Sequence, residues 1–176
     1  SVRTTFTYRA GGRVPLHRLT ESELADVSRY YEIKANPRRL ELGRSKIHGW
    51  GLFSDEDINK DEIVIEYVGE SLRESVADKR EIEYDKKGIY DSYLFRIEHH
   101  NIIDATRKGN VARFINHSCK PNCHARIVPV NREKKILIIS KEKIHAGEEI
   151  TYDYNFSEEN VKIPCKCGSE KCRKFL

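Results

Sequence analysis

The chain ends in Cys165-x-Cys167-x4-Cys172, and this spacing constrains its fold more than any other feature. Three thiols so close together suit a tetrahedral zinc, which binds thiolates at about 2.3 Å. They leave a fourth coordination position to fill. The candidates elsewhere are Cys119, Cys123, His117 and His124. All four lie in one stretch, so the metal must tie the tail to residues 113–124. A site of four cysteines would be closed and structural, because no position would remain for water. The five cysteines all sit in the last third of the chain. An odd, clustered set without a secretory signal argues against a disulfide framework and for a reducing compartment.

A chain of 176 residues is expected to form one domain that buries roughly two thirds of its unfolded surface. Charged residues make up 34% but are of mixed sign, with a net charge of only +4, so they read as a solvated surface and not as a nucleic-acid face. The longest apolar run, Ile136 to Ile139, falls far short of the ~20 residues that span a bilayer, so no membrane association is expected. Position 1 is not Met and no signal-peptide pattern follows it, so an excised piece of a longer protein is expected.

Residues 1–15 read as a loose basic arm. Thr20-x-x-Glu23 is a capping box, Leu19 can staple to Leu24, and Leu24, Val27 and Tyr31 continue one helical face until Pro37. That helix packs on its own domain or docks elsewhere; the sequence leaves both open. From Leu40 onward short strands dominate, with candidates at 40–44, 51–54, 62–68, 92–97, 101–104, 124–130, 135–140 and 148–152. Alternation is clearest in Ile63, Ile65 and Tyr67 and in Tyr93, Phe95 and Ile97. Ser71-x-x-Glu74 reads as a second capping box, opening a solvent-facing helix that Gly88 stops. A helical turn is expected from Asn110 to Ile115. The pattern predicts a β-rich, α+β domain with few helices. Gly49-Trp50-Gly51 lacks the third glycine and the following helix of a dinucleotide fingerprint.

Arg113-Phe114-Ile115-Asn116-His117-Ser118-Cys119-x-Pro121-Asn122-Cys123 resembles the cofactor motif of the SET-domain protein lysine methyltransferases. Glu148 to Tyr154, with Thr151-Tyr152-Asp153-Tyr154, resembles their catalytic motif, and Ile47 to Phe53 their first glycine loop. Val64 to Glu70 and Ile103 to Thr106 are similar to further family segments. The cysteine tail resembles the post-SET zinc element. The resemblance divides the chain into a flanking segment with one helix (1–39), a SET domain (40–156) and a post-SET tail (157–176). SET classes that act on lysine 9 or 36 of histone H3 usually carry a cysteine-rich element ahead of the domain, and no cysteine precedes Cys119 here. A post-SET tail alone is similar to the Trithorax/MLL and yeast-type COMPASS group, whose substrate is lysine 4 of histone H3.

The resemblance implies a fold of short strands in small sheets in which the Asn-His and Tyr-Asp-Tyr segments cross as a pseudoknot. It implies that S-adenosylmethionine binds at Gly49, Trp50, Gly51, Tyr93, Asn116 and His117, with Phe175 covering the adenine. Tyr154 is expected to orient the reacting groups, and Tyr93 to touch the cofactor beside them. Tyr152 falls at the family's Tyr/Phe switch, which implies mainly mono- and dimethylation by the isolated domain. Tyr67 and Tyr90 would line the lysine channel. Among the fourth-ligand candidates the resemblance selects Cys119, giving a zinc site of Cys119, Cys165, Cys167 and Cys172. It also implies a histone H3 tail substrate, nuclear chromatin location, activation by COMPASS-type WD40 and SPRY subunits, and room for a nucleosome contact. An inactive chromatin-binding module and a methyltransferase for a non-histone lysine are the alternatives. Retention of Asn116, His117, Tyr152 and Tyr154 favours the enzyme.

Overall fold

The computed structural model describes residues 5–7, 20–89, 91–98, 101–131, 133–155 and 163–176. In chain order the elements are β1 (Thr5–Thr7), α1 (Glu21–Ala35), β2 (Leu40–Arg44), β3 (Trp50–Ser54), β4 (Ile63–Tyr67), β5 (Glu70–Leu72) and α2 (Glu74–Lys86). They continue as β6 (Leu94–Glu98), β7 (Asn101–Asp104), a 3-10 turn (Val111–Phe114), β8 (Asn116–His117), β9 (Cys123–Val130), β10 (Glu133–Ser140) and β11 (Thr151–Tyr152). Three small sheets result, ordered β1-β6-β7-β5, β4-β10-β9-β11-β8 and β2-β3.

Helix α1 begins directly after Thr20, whose carbonyl accepts the first helical bond from the Leu24 amide at 2.9 Å. Leu19 and the Glu23 side chain, the expected staple and capping-box partners, lie outside the described residues. The helix ends two residues before Pro37, which could not continue it. Its buried stripe differs from the expected one. Leu24 and Tyr31 are exposed, while Tyr30, with Val27 and Ile33, packs on Ile63, Val128, Leu137 and Ile139 of the five-stranded sheet. Buried Asp26 also pairs with Arg126 at 2.8 Å. The helix therefore packs on its own domain.

The second capping box is not formed. Helix α2 starts at Glu74 with Arg73 at its N-cap and no side-chain cap bond. Ser71 lies instead in β5, its hydroxyl donating to Asn101 Oδ1 at 2.9 Å. The strand ladder to β7 claims Ser71 before the helix can. The rest of α2 is solvent-facing as expected, apart from Ala77 and Tyr84.

Three strands were too short to show a period in the sequence: β5, β8 with two residues, and β1, where Thr5–Thr7 of the expected loose arm pair in parallel with β6. The expected strand 148–152 contracts to Thr151–Tyr152, preceded by a single bridge from Glu149 to Phe53. What positions the site is the order β9-β11-β8. Strands β8 and β9 are joined by residues 118–122, yet β11 lies between them, parallel to both. This insertion is the expected crossing. Asn122 pins it, accepting from the Thr151 amide at 2.9 Å and donating to the Glu149 carbonyl at 2.9 Å. The main core, including Leu52, Val64, Phe95, Ile115, Ile138 and Tyr152, lies directly beneath.

Candidate active site and metal centre

The crossing brings the Asn-His pair and both tyrosines of the 151–154 segment together. Tyr152 is buried, and its ring lies 5.1 Å from that of Tyr154 and 6.2 Å from that of Phe95, stacked. Tyr67 closes the group at 5.3 Å from Phe95. Tyr93 packs edge-on against Phe114 at 5.8 Å, with the Arg113 guanidinium over both rings. Its amide donates to Thr106 Oγ1 at 2.9 Å, which fixes it at the rim.

Burial pushes the Tyr67 and Tyr152 phenols well above their ordinary value, with neighbouring tyrosines adding to it. Burial, then Tyr93, raises Tyr154 as well. All three hydroxyls therefore stay protonated near neutral pH. The Tyr154 hydroxyl donates to the Ile115 carbonyl at 2.8 Å. Its one proton is committed, so the oxygen lone pairs are what it can offer elsewhere. Among the described residues the buried Tyr67 hydroxyl has no hydrogen-bond partner. An orphaned buried polar atom of this kind fits a site completed by a bound group. A cleft of about 210 Å³ opens beside this group, lined in part by Phe95, Cys123, Asp153, Tyr154 and Asn155.

The glycine loop packs against the same centre. Gly49 has φ +47 and open space around it, so it is a conformational glycine. Gly51 has a different cause. A Cβ there would come within 2.5 Å of Glu149 Oε1 and 3.0 Å of the Ser45 Cβ. The Asn116 side-chain amide donates to the Trp50 carbonyl at 2.9 Å, the His48 carbonyl at 3.2 Å and Glu149 Oε1 at 2.8 Å. Its side chain is thus engaged within the protein, while its backbone, in the edge strand β8, pairs with Thr151. Trp50 is half-exposed, under the Arg44 guanidinium at 4.4 Å.

His117 connects this site to the tail. Its Nδ1 accepts from the Tyr154 amide at 3.1 Å, so the other nitrogen carries the proton and Nε2 donates to Cys119 Sγ at 3.3 Å. Burial lowers the imidazole to about 4, against the opposing pull of Asp153, so it is neutral. Arg173 of the tail holds Asp153 Oδ1 at 2.6 Å, and its amide donates to Cys119 Sγ at 3.3 Å.

The sulfurs of Cys119, Cys165, Cys167 and Cys172 all lie within 4.8 Å of one another, with Cys119 and Cys165 3.7 Å apart. A tetrahedron of thiolates around zinc has edges of about 3.8 Å. The donor set and its spacing therefore fit one zinc ion, and Cys119 is the fourth member of the cluster. Cys123 is fully buried elsewhere, its thiol pushed up to about 12 by burial. Around the cluster the tail folds on itself: the Cys165 amide bonds the Lys174 carbonyl at 2.8 Å, and Pro164 bridges Phe175.

Of the residues singled out in the sequence, the structure gathers Tyr67, Tyr93, Asn116, His117, Tyr152, Tyr154 and the glycine loop around one centre. Phe175 is 41% exposed on the tail. Tyr90 lies outside the described residues. Three residues at the centre were missed. Phe95 read as core alternation, and Glu149 fell inside the 148–154 motif without a task of its own. Asn122 had a signal, its place inside the Asn-His-Ser-Cys block, but no evident task.

Small sheets threaded by β11, with an Asn-His pair, a tyrosine cluster and a four-thiol tail at the crossing, define a SET domain. Residues 49–155 match the SET domain family, and the chain belongs to it. Over all 176 residues it is 50% identical to the histone-lysine N-methyltransferase SETD1B of Homo sapiens, of which it covers 9%. Over 152 residues, 86% of the chain, it is 54% identical to the histone-lysine N-methyltransferase SETD1A of Homo sapiens, again covering 9% of that protein. It is 55% identical over 152 residues to the histone-lysine N-methyltransferase, H3 lysine-4 specific, of Schizosaccharomyces pombe, of which it covers 16%. The chain thus spans a small part of each of these relatives.

Proposed function

We propose that this domain transfers a methyl group from S-adenosylmethionine to lysine 4 of histone H3. The observation that carries the reading is the convergence of Tyr67, Tyr152 and Tyr154, protonated and mostly buried, on the Asn116–His117 strand and the glycine loop. Similarity to the Schizosaccharomyces pombe protein named as H3 lysine-4 specific supports the choice of lysine.

S-adenosylmethionine, when bound, supplies a methyl group activated on a sulfonium. The 48–51 loop and the main chain of Asn116 and His117 would hold it, with Tyr93 at the rim. The acceptor lysine has to be neutral, against a pKa of ~10.4 in water. The walls formed by Tyr67, Phe95 and Tyr152 are largely apolar and disfavour its ammonium form. The raised tyrosines cannot take that proton, so it leaves to water before the amine is seated. With the cofactor bound, the neutral amine would take the methyl group from the sulfonium, leaving a thioether and a methylated ammonium. Tyr154, its proton spent on the Ile115 carbonyl, keeps oxygen lone pairs that would be available to a transferring methyl through weak C–H···O contacts. Holding amine, carbon and sulfur in line is the larger effect. The cysteine cluster would hold zinc structurally.

The isolated domain favours mono- and dimethylation, because the Tyr152 hydroxyl takes room that further methyl groups need. Lysine channel roles for Tyr67 and Tyr90, an adenine cover by Phe175, nuclear chromatin location and activation by COMPASS-type WD40 and SPRY subunits belong to the same proposal. So do the division at 39/40 and 156/157 and a contact with the nucleosome.

Methyl transfer to histone H3 tail peptides, with lysine 4, 9 or 36 replaced in turn, tests it by mass spectrometry. Transfer should vanish only when lysine 4 is replaced. Tyr154→Phe should lower kcat/KM at least about tenfold, the worth of one well-placed oxygen. Transfer that survives replacement of lysine 4, or no transfer even with the partner subunits added, would overturn the reading.

A further inference from the structure

We propose that Glu149 is a positioning residue for cofactor binding, acting through Ser45 and Asn116 to hold the 45–51 loop in its binding shape. The inference rests on the reading above that this loop takes S-adenosylmethionine.

Glu149 is a half-buried carboxylate, and among the described residues no lysine, arginine or histidine forms an ion pair with it. Its charge is met instead by neutral donors from two separate segments. The Ser45 hydroxyl donates to Oε1 at 2.7 Å and lies 3.0 Å from Oε2. The Asn116 amide donates to Oε1 at 2.8 Å. Hydrogen bonds to an ionised acceptor are about twice as strong as neutral ones.

Ser45 is the hub of the loop. Its oxygen accepts from the Ile47 amide at 2.9 Å and the His48 amide at 3.4 Å, and its own amide donates to the Gly49 carbonyl at 3.1 Å. A hydroxyl has one proton, and Ser45 spends it on Glu149, which turns the lone pairs back toward the loop amides. Asn116 completes the arrangement from the other side, dividing its two N–H groups between the carboxylate and the Trp50 and His48 carbonyls. The carboxylate thus sets the orientation of both side chains that shape the loop.

Two further observations make this a built arrangement. The space that a side chain at position 51 would need is taken by the Glu149 carboxylate and the Ser45 Cβ, so any larger residue there would displace the carboxylate from its place. The Glu149 backbone is itself fixed: it bridges Phe53, flanked by the Ile150 amide on the Leu52 carbonyl at 2.8 Å and the Ser54 amide on the Glu148 carbonyl at 3.0 Å. Three residues on is Tyr152. The segment that carries Glu149 against the loop therefore runs on directly into Tyr152 and Tyr154.

The test compares the 176-residue chain with Glu149→Ala, Glu149→Gln and Ser45→Ala. Trp50, the sole tryptophan, sits in the loop and reports on it by fluorescence without any cofactor. Amide exchange at Ile47 and His48 in the free protein reads the loop directly, and calorimetry with S-adenosylhomocysteine reads affinity. Glu149→Ala should speed exchange at those two amides, shift Trp50 emission and weaken affinity about tenfold or more, the loss of one charge-assisted bond. KM for S-adenosylmethionine should move more than kcat. Glu149→Gln, which keeps a carbonyl at the Oε1 position, should restore affinity to within about threefold. Ser45→Ala should resemble Glu149→Ala, and the double variant should add little, because the two act as one unit. Unchanged loop exchange in Glu149→Ala, or unchanged affinity where the wild type binds, would overturn the proposal. If the wild type itself fails to bind, the cofactor reading fails, and loop exchange alone then decides whether Glu149 holds the loop.

Discussion

Tyr67 and Tyr152 illustrate how a single hydroxyl trades stability against chemistry. A buried polar atom without a partner costs about 1–3 kcal/mol, and among the described residues the Tyr67 hydroxyl is one. Tyr67→Phe should therefore leave the melting temperature unchanged or higher while methyl transfer falls; calorimetry and an activity assay on the same sample check both halves. Tyr152→Phe should shift the product toward trimethyl-lysine, read as the ratio of methylated peptides by mass spectrometry. Both tyrosines were legible because they stand in or near dense motifs. The task of Glu149 was not, although it stands inside the 148–154 motif, since its partner Ser45 lies 104 residues away and meets it only in the folded chain. Phe95 was hidden by doing two things at once, filling the core and walling the site.

At the scale of elements, long patterned segments were readable and short or shared ones were not. The existence and ends of α1 followed from Thr20 and Pro37, but its buried stripe is rotated toward Tyr30 because Glu66 and the sheet, not periodicity alone, choose the face. Ser71 carried a helix-start signal and was taken by a ladder. Helix α2 is anchored by Asp104, which is fully buried. It accepts from Tyr84 at 2.6 Å, Arg80 at 2.9 Å and the Thr106 amide at 2.9 Å. Burial alone would raise this carboxyl, but those bonds outweigh it and hold it below the ordinary carboxylate range. A depressed acid stabilises the fold above its unfolded pKa, about 3.9, and that contribution is lost as pH falls through the folded value. Asp104→Asn should cost about 3 kcal/mol at pH 7, as breaking a buried pair does. The gap to the wild type should narrow below about pH 4. Urea denaturation at both pH values measures it.

Across the whole molecule, the tail was the most legible feature: three spaced thiols required a return to residues 113–124, and Cys119 meets them there. The contacts that join the cysteine cluster to the tyrosine site were not legible, because they run through His117 Nε2 and the Arg173–Asp153 pair, contacts of the folded state alone. Chelating the metal should abolish methyl transfer and expose the amides of residues 163–176 to exchange. The β9–β10 ladder should stay protected, since its register does not involve the tail. Hydrogen exchange with and without chelator distinguishes this from global unfolding.

The placement of β11 between β8 and β9 also fixes when the site can come into being. A ribosome releases residues 116–130 well before 151–152, so the slot has to stand open, or form loosely, until the later segment arrives. Contacts this distant in sequence form slowly. The tail that carries three of the four thiols emerges later still. A nascent chain that stops short of residues 151–152 therefore holds most of its core without the crossing, and the four-thiol cluster closes only once residues 165–172 have followed.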